Sequence, residues 1–199
     1  MEKGGKEVNM YHAEIVYTEE LCIRLSKVQY TLHEKAAKII RVILGAIPFI
    51  AALAVGIDTL WGLLLILLSI YFFFSTDGFF ERNGKRTYRA IGTRFRKFRY
   101  RFNDDVFIVN SGGVDKECAY DDIKELVTDG EYVYLFMNEK QAYMADLSTV
   151  TSDGRELSDV DESFRDFLQD KTKKKWKWVS GKMPFMYALK KKLHEIHNI

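Results

Sequence analysis

The chain has 199 residues, 30 Lys and Arg against 28 Asp and Glu, and a formal net charge of +2. That near-balance excludes a partner selected by bulk charge, so only local charge is informative. Two cysteines, Cys22 and Cys118, exclude a disulfide scaffold, and reduced thiols are the expectation.

Residues 1–10 are a polar start. In residues 11–17 (YHAEIVY), Ala13, Ile15 and Tyr17 alternate with His12, Glu14 and Val16, which predicts a short strand. Thr18 reads as a helix cap, with Glu19 and Glu20 favourable at the positive helix end. Leu21, Leu25, Val28 and Leu32 then share one helix face, and this helix can continue through Lys35.

Two apolar runs follow, residues 42–57 (VILGAIPFIAALAVGI) and 60–74 (LWGLLLILLSIYFFF), separated by Asp58 and Thr59. A bilayer core takes about 20 apolar residues as a helix, so the block is too long for one upright span. Splitting it at 56–59 gives two helices. Ala36, Ala37, Ile39 and Ile40 extend the first, with Lys38 and Arg41 snorkelling to the headgroups. The second reaches Phe79 and Phe80. Asp58 is costly at membrane depth and belongs at a wet tip, while Pro48 is tolerable where a neighbouring helix supports it. Trp61 near the tip, and Tyr71 with Phe72, Phe73 and Phe74 at the other end, suit interfacial belts. Cations flank the block on both outer sides, so the positive-inside rule puts both ends in the cytoplasm. The readings set aside are a buried hairpin in a soluble core and a signal peptide. The block starts too late for the latter, and no cleavage pattern follows it.

Beyond the block, Asp77-Gly78 and Asn83-Gly84 read as punctuation. Residues 85–100 are basic, with Tyr88, Ile91, Phe95 and Phe98 at helical spacing; they predict a membrane-proximal amphipathic helix or an extended linker. From Phe102 the period changes. Strands are predicted over 106–110, 117–120, 123–128, 131–137 and 141–147. Turns fall at Ser111-Gly112-Gly113, Asp129-Gly130 and Asn138-Glu139-Lys140. Ser158 or Asp159 caps a helix with Val160, Phe164, Phe167 and Leu168 on one face. A meander closed by a helix is an α+β unit. The tail begins as KTKKKWKW; after Pro184, the residues Phe185, Met186, Leu189, Leu193 and Ile196 share a helix face, with Lys190, Lys191 and Lys192 taking much of the other. It reads equally as an in-plane membrane anchor, a helix on the sheet domain or a partner-binding helix.

This order, with the step Tyr120-Asp121-Asp122-Ile123, the Asp129-Gly130 hairpin, the aromatic strand after it and the helix segment ESFRDFL, resembles the YcxB-like family of bacterial membrane proteins over residues 11–169. The resemblance implies a cytoplasmic pleckstrin-homology-like sheet closed by a C-terminal helix, and it carries no catalytic motif.

The strongest candidate site is a lipid-surface set: Arg82, Lys85, Arg86, Arg89, Arg94, Arg96, Lys97, Arg99 and Arg101. Each such cation near an anionic leaflet contributes about 1 kcal/mol. Topology alone would also place positive charge there. Nucleic acid is set aside because membrane adjacency already explains the charge. His194 and His197 read as surface histidines, and Cys22 and Cys118 as packing residues. Asp153, Glu156, Asp159, Asp161 and Glu162 lack the ligand alternation of a calcium loop and suit a helix N-terminus. Asp121 and Asp122, as neighbours in a strand, would face opposite ways. No phosphate loop or nucleophile elbow occurs, so no catalytic, metal or cofactor residue is assigned.

The expectation is a membrane protein of α+β class: residues 1–35 strand and amphipathic helix, 36–80 a two-helix transmembrane hairpin, 81–101 a basic linker, 102–170 the sheet domain and 171–199 the tail. It would sit in the bacterial inner membrane with both termini cytoplasmic, presenting a non-enzymatic binding module. Its partners would be anionic headgroups, a membrane protein or a second copy. The alternative is an accessory or immunity-type subunit of a membrane complex such as a transporter, which Gly45, Ala46, Ala51, Ala52, Ala54 and Gly56 would suit by letting another helix approach.

Overall fold

A computed structural model of the chain describes residues 10–152 and 160–197. The helices are α1 (Glu19–His33), α2 (Lys35–Val55), α3 (Leu60–Ile91), α4 (Val160–Thr172) and α5 (Phe185–His197). The strands are β1 (Tyr11–Val16), β2 (Lys97–Phe102), β3 (Val106–Ser111), β4 (Val114–Ala119), β5 (Glu125–Thr128), β6 (Tyr132–Asn138), β7 (Gln141–Asp146), β8 (Thr151–Ser152) and β9 (Trp176–Trp178). They divide into a β unit, residues 1–18 and 90–181, and a helical unit, residues 19–89 and 182–199.

In the β unit, β1 alternates as its sequence demands, with Tyr11, Ala13 and Ile15 buried. The α+β class holds, but the strands form two sheets rather than one meander. One is ordered β4-β3-β2-β1-β8 and the other β7-β6-β5-β9. All pairings are antiparallel except β5 with β9. The expected helix or linker over 85–100 is replaced by three elements: α3 to Ile91, a 3-10 turn at Thr93–Phe95, and β2 from Lys97. Gly92, just past the end of α3, takes φ +65 and ψ 158, a backbone conformation open to glycine. Beyond it the period-two pattern prevails, because Tyr100 and Phe102 turn into the core while Lys97, Arg99 and Arg101 turn out.

Turn chemistry sets the hairpins. Gly112 and Gly113, both at positive φ, join β3 to β4 with Ser111 opposite Val114. At the β5–β6 turn, Oδ1 of Asp129 accepts from the amides of Glu131 and Tyr132, and Oδ2 accepts from the Tyr134 hydroxyl at 2.6 Å. Residues Tyr120–Asp122 form a 3-10 turn rather than a strand end, so Asp121 and Asp122 are both exposed and no alternation separates them.

The Tyr100 hydroxyl donates to the Met144 carbonyl (2.8 Å), and the Met144 amide donates to the Tyr17 hydroxyl (3.2 Å), tying the two sheets. Of the predicted face of α4, Val160, Phe164 and Leu168 are buried and Phe167 is half-buried. Phe164 lies edge-on to Phe102 at 4.9 Å and near Tyr11 at 5.4 Å. The basic tail is split. Trp176–Trp178 adds the parallel strand β9, held by Trp176 Nε1 donating to the Arg165 carbonyl.

In the helical unit, α1 ends at Glu34 instead of continuing into α2. Its buried residues are Cys22, Ile23, Val28 and Tyr30, so the leucine stripe is not the main packing face. The reason is Gly84 of α3: with no side chain there, the Ile23 backbone comes close. Asn83-Gly84 therefore lies inside α3, as does Asp77-Gly78. At 32 residues, α3 extends about 48 Å. The α2–α3 turn falls at 56–59 as predicted. Gly56 takes φ +96, and Thr59 Oγ1 accepts from the Gly62 amide as the α3 cap. Further along, Ser69 Oγ donates to the Gly45 carbonyl at 2.7 Å, and Gly45, Pro48 and Ala52 are buried. The α5 helix packs through Tyr187, with Met183 before it, on the Ile23–Tyr30–Phe80 cluster, and leaves Phe185, Leu189 and Leu193 exposed.

Among the described residues, one helix, α3, is long and apolar enough to cross a membrane, with a mean hydropathy of 1.9 over its most apolar stretch. The apolar stretch of α2, Ile39–Val55, is shorter.

Candidate functional site

The nine candidate cations fall on both units. Arg82, Lys85, Arg86 and Arg89 lie on the last three turns of α3, where Glu81 ends the apolar sequence. They line, with Phe79 and Asn83, a groove of about 460 Å3. Lys85 is held by Glu81 at 2.9 Å and lies 3.7 Å from Glu19. Arg82, Arg86 and Arg89 are exposed. Spaced four and three apart on a helix, these guanidinium groups share one side and can meet a row of phosphates.

The other five cations lie in the β unit. Arg94 is exposed, with its guanidinium 5.9 Å from the Phe95 ring. Arg96 accepts the Tyr17 amide through its carbonyl (2.8 Å), which closes the β1–β2 ladder. Lys97, Arg99 and Arg101 project from the outer face of β2, and acids meet them there. Glu14 is 2.8 Å from Lys97 and 3.8 Å from Arg99, and Asp115 is 2.8 Å from Arg101. Asn110 donates to the other oxygen of Asp115. A recess of about 420 Å3 opens among them, lined also by His12, Thr149 and Thr151. Three cations against two carboxylates make this a mixed polar surface. Exposed pairs of this kind each contribute roughly 0.2–1 kcal/mol.

Sequence reasoning missed Glu14, Asn110 and Asp115 as parts of this surface. Glu14 was readable as the outward residue of β1 opposite Arg99, had the pairing of β1 with β2 been known. Asp115 needed the register of β3 against β4.

The remaining candidates stay apart. Cys22 and Cys118 are both buried, on different units, and do not form a disulfide. Asp161 and Glu162 are exposed in the first turn of α4. Asp153, Glu156, Ser158 and Asp159, and the side chains of His194 and His197, lie outside the described residues. Among the described residues no group of three His, Cys, Asp or Glu is placed to hold a metal ion.

Comparison with protein-family models, with curated proteins and with solved structures gives no match, so the YcxB-like resemblance rests on the residues that carry it.

Proposed function

We propose that the α2–α3 hairpin anchors this chain in a bacterial inner membrane by two spans, with both termini cytoplasmic, and that the β unit is a non-catalytic binding module held at the membrane surface. One observation carries the reading: the large apolar side chains of the hairpin face outward. Leu60 is 72 %, Ile50 64 % and Leu67 62 % exposed, whereas Phe102, Phe107 and Leu126 of the β unit are fully buried. An apolar helix in a soluble core hides such residues, and a bilayer solvates them. The apolar stretch of α2 has 17 residues, the lower end of what spans a membrane. A polar tip of Asp58 and Thr59 suits the far side, and the cations on α3 suit the near side.

The mechanism is localisation. A module confined to the surface meets a membrane-bound partner at an effective concentration far above its bulk value. The two tightly packed β sheets and α4 support a module role, as does the mixed polar face of β2. The alternative of a subunit in a larger membrane complex loses part of its support, because Gly45 and Ala52 are already buried within the hairpin.

The test is membrane fractionation combined with alkaline phosphatase fusions at residue 58 and at the C-terminus. Activity only at residue 58 supports the reading. A chain that remains in the supernatant without detergent overturns it, and activity at the C-terminus overturns the orientation.

A further inference from the structure

Within the helical unit, a crevice of about 300 Å3 opens beside Lys27, Tyr30, Arg41, Val42, Phe72 and Phe73. The Tyr30 hydroxyl and the Arg41 Nη1 are buried, and among the described residues no group accepts a hydrogen bond from either. Tyr30 is only 6 % exposed. A buried donor without an acceptor is costly, and more so when it is charged. The Arg41 guanidinium is also held in place, 4.9 Å from the Tyr30 ring centre and 5.3 Å from that of Phe79. Cation–π attraction to these rings holds the group there without giving Nη1 an acceptor.

The other side of the crevice is greasy. Val42 and Phe73 are half exposed, and Phe72 lies beside them. All three fall where the apolar stretches of α2 and α3 meet the charged ends of the helices. The missing group is thus an anionic acceptor attached to an apolar chain. Lys27, whose Nζ donates to the Lys182 carbonyl at 2.5 Å, adds positive charge on the same side.

We infer that this crevice binds one anionic phospholipid, whose phosphate accepts from Arg41 and Tyr30 and whose acyl chain lies along Val42, Phe72 and Phe73. The inference rests on the membrane reading of the hairpin, since the lipid is drawn from the surrounding leaflet. A free phosphate shares the headgroup chemistry but leaves the apolar wall uncovered.

The test is native mass spectrometry of the full chain released from mild detergent, loaded with phosphatidylglycerol or phosphatidylcholine. One phosphatidylglycerol should be retained per chain, at least about tenfold over phosphatidylcholine, which carries the same phosphate but also a choline cation that Arg41 and Lys27 repel. Arg41→Gln should remove that preference. Tyr30→Phe keeps the ring under the guanidinium and should weaken retention about fivefold. Lys140→Gln, exposed at the β6–β7 turn of the other unit, should change nothing. Equal retention of the two lipids overturns the site. So does phosphatidylglycerol binding unchanged in both crevice variants, or displacement of the lipid by inorganic phosphate. A chain that fractionates with membranes but shows no lipid preference ends this site and leaves the anchor standing. A chain that stays soluble yet retains phosphatidylglycerol through Arg41 ends the anchor instead.

Discussion

A methyl group on Gly84 would lie 2.5 Å from the Cα of Ile23, closer than any side-chain carbon sits to another backbone. The crossing of α1 and α3 therefore depends on a residue with no side chain. Gly84→Ala should force the helices apart and destabilise the helical unit by roughly 1–3 kcal/mol, the cost of overpacking. Gly78 is the control. It is also inside α3, but nothing lies within 4 Å of where its Cβ would be. Gly78→Ala should leave stability unchanged or raise it by up to about 1 kcal/mol, since glycine is a poor helix former. Thermal unfolding of both variants in the same detergent decides. Equal effects would mean that the close crossing is not what sets the stability.

The Ser69–Gly45 hydrogen bond is the polar contact between α2 and α3 nearest the middle of the hairpin. On the proposed membrane reading, Ser69→Ala should cost about 0.6 kcal/mol, and no more than about 1.7, the range for hydrogen bonds between membrane helices. Gly45→Val should cost more, because even a Cβ there would meet the Phe73 ring at 2.9 Å. Steric-trap or denaturant unfolding in bicelles gives both numbers, and the order Ser69→Ala below Gly45→Val is the outcome that matters.

Phe164 is fully buried against Phe102 and Tyr11, whereas Phe167, one turn on, is only partly covered. Phe164→Ala should cost the β unit about 3–5 kcal/mol through the cavity it leaves. Phe167→Ala should cost clearly less. Urea titration followed by tryptophan fluorescence reports both, because Trp176 is fixed to α4 through the Arg165 carbonyl.

Burial pushes the phenol pKa values of Tyr100, Tyr120 and Tyr143 upward, and the nearby Asp104 adds to the effect at Tyr120. An unfolded tyrosine titrates near about pH 10. The folded chain holds these protons more tightly than the unfolded one, so their contribution to stability is complete below about pH 10 and is lost as pH rises above it. The β unit should keep a constant urea midpoint from about pH 7 to 9 and lose it steeply beyond about 10. Phenolate absorbance that appears in full at that pH with no loss of midpoint would contradict the burial of these hydroxyls.

The Arg101–Asp115 pair is about half exposed on both sides. A double-mutant cycle with Arg101→Ala and Asp115→Ala should give a coupling of roughly 0.2–1 kcal/mol, falling with added salt. A larger, salt-insensitive value would mark the recess as a dry site rather than a solvated face.

How much of this was legible depended on whether a signal was local. Asp129-Gly130 and Gly112-Gly113 announced their turns because the backbone there needs positive φ or an accepting side chain. Val160, Phe164 and Leu168 marked their face at helical spacing, and Asp58 with Thr59 marked the tip of the hairpin. The basic stretch misled. Phe95 and Phe98 continued a helical spacing, and the alternation of Phe98, Tyr100 and Phe102 became decisive only through β1, whose residues lie some eighty positions earlier. The three-residue β9 carried almost no strand pattern and formed because β5 offered an edge. The buried side of α1 followed from Gly84, a residue on another helix that reads in isolation as a loop signal. At the candidate site the cations were visible at once. Their acids were not, because Glu14 and Asp115 reach them only across sheet register.

Val16 and Lys97 face each other across an antiparallel ladder, and the Tyr17 amide bonds to the Arg96 carbonyl. Residues 19–89 are thus an insertion in sequence between two paired strands. A gene fragment starting after the greasy stretch would lack β1, the strand between β2 and β8 of the larger sheet. Joining Thr18 to Thr93 by a short glycine–serine bridge, by contrast, keeps both ladder neighbours and removes the oily segment. That splice, rather than a simple truncation, is the route to a detergent-free version of the β unit for ligand screening.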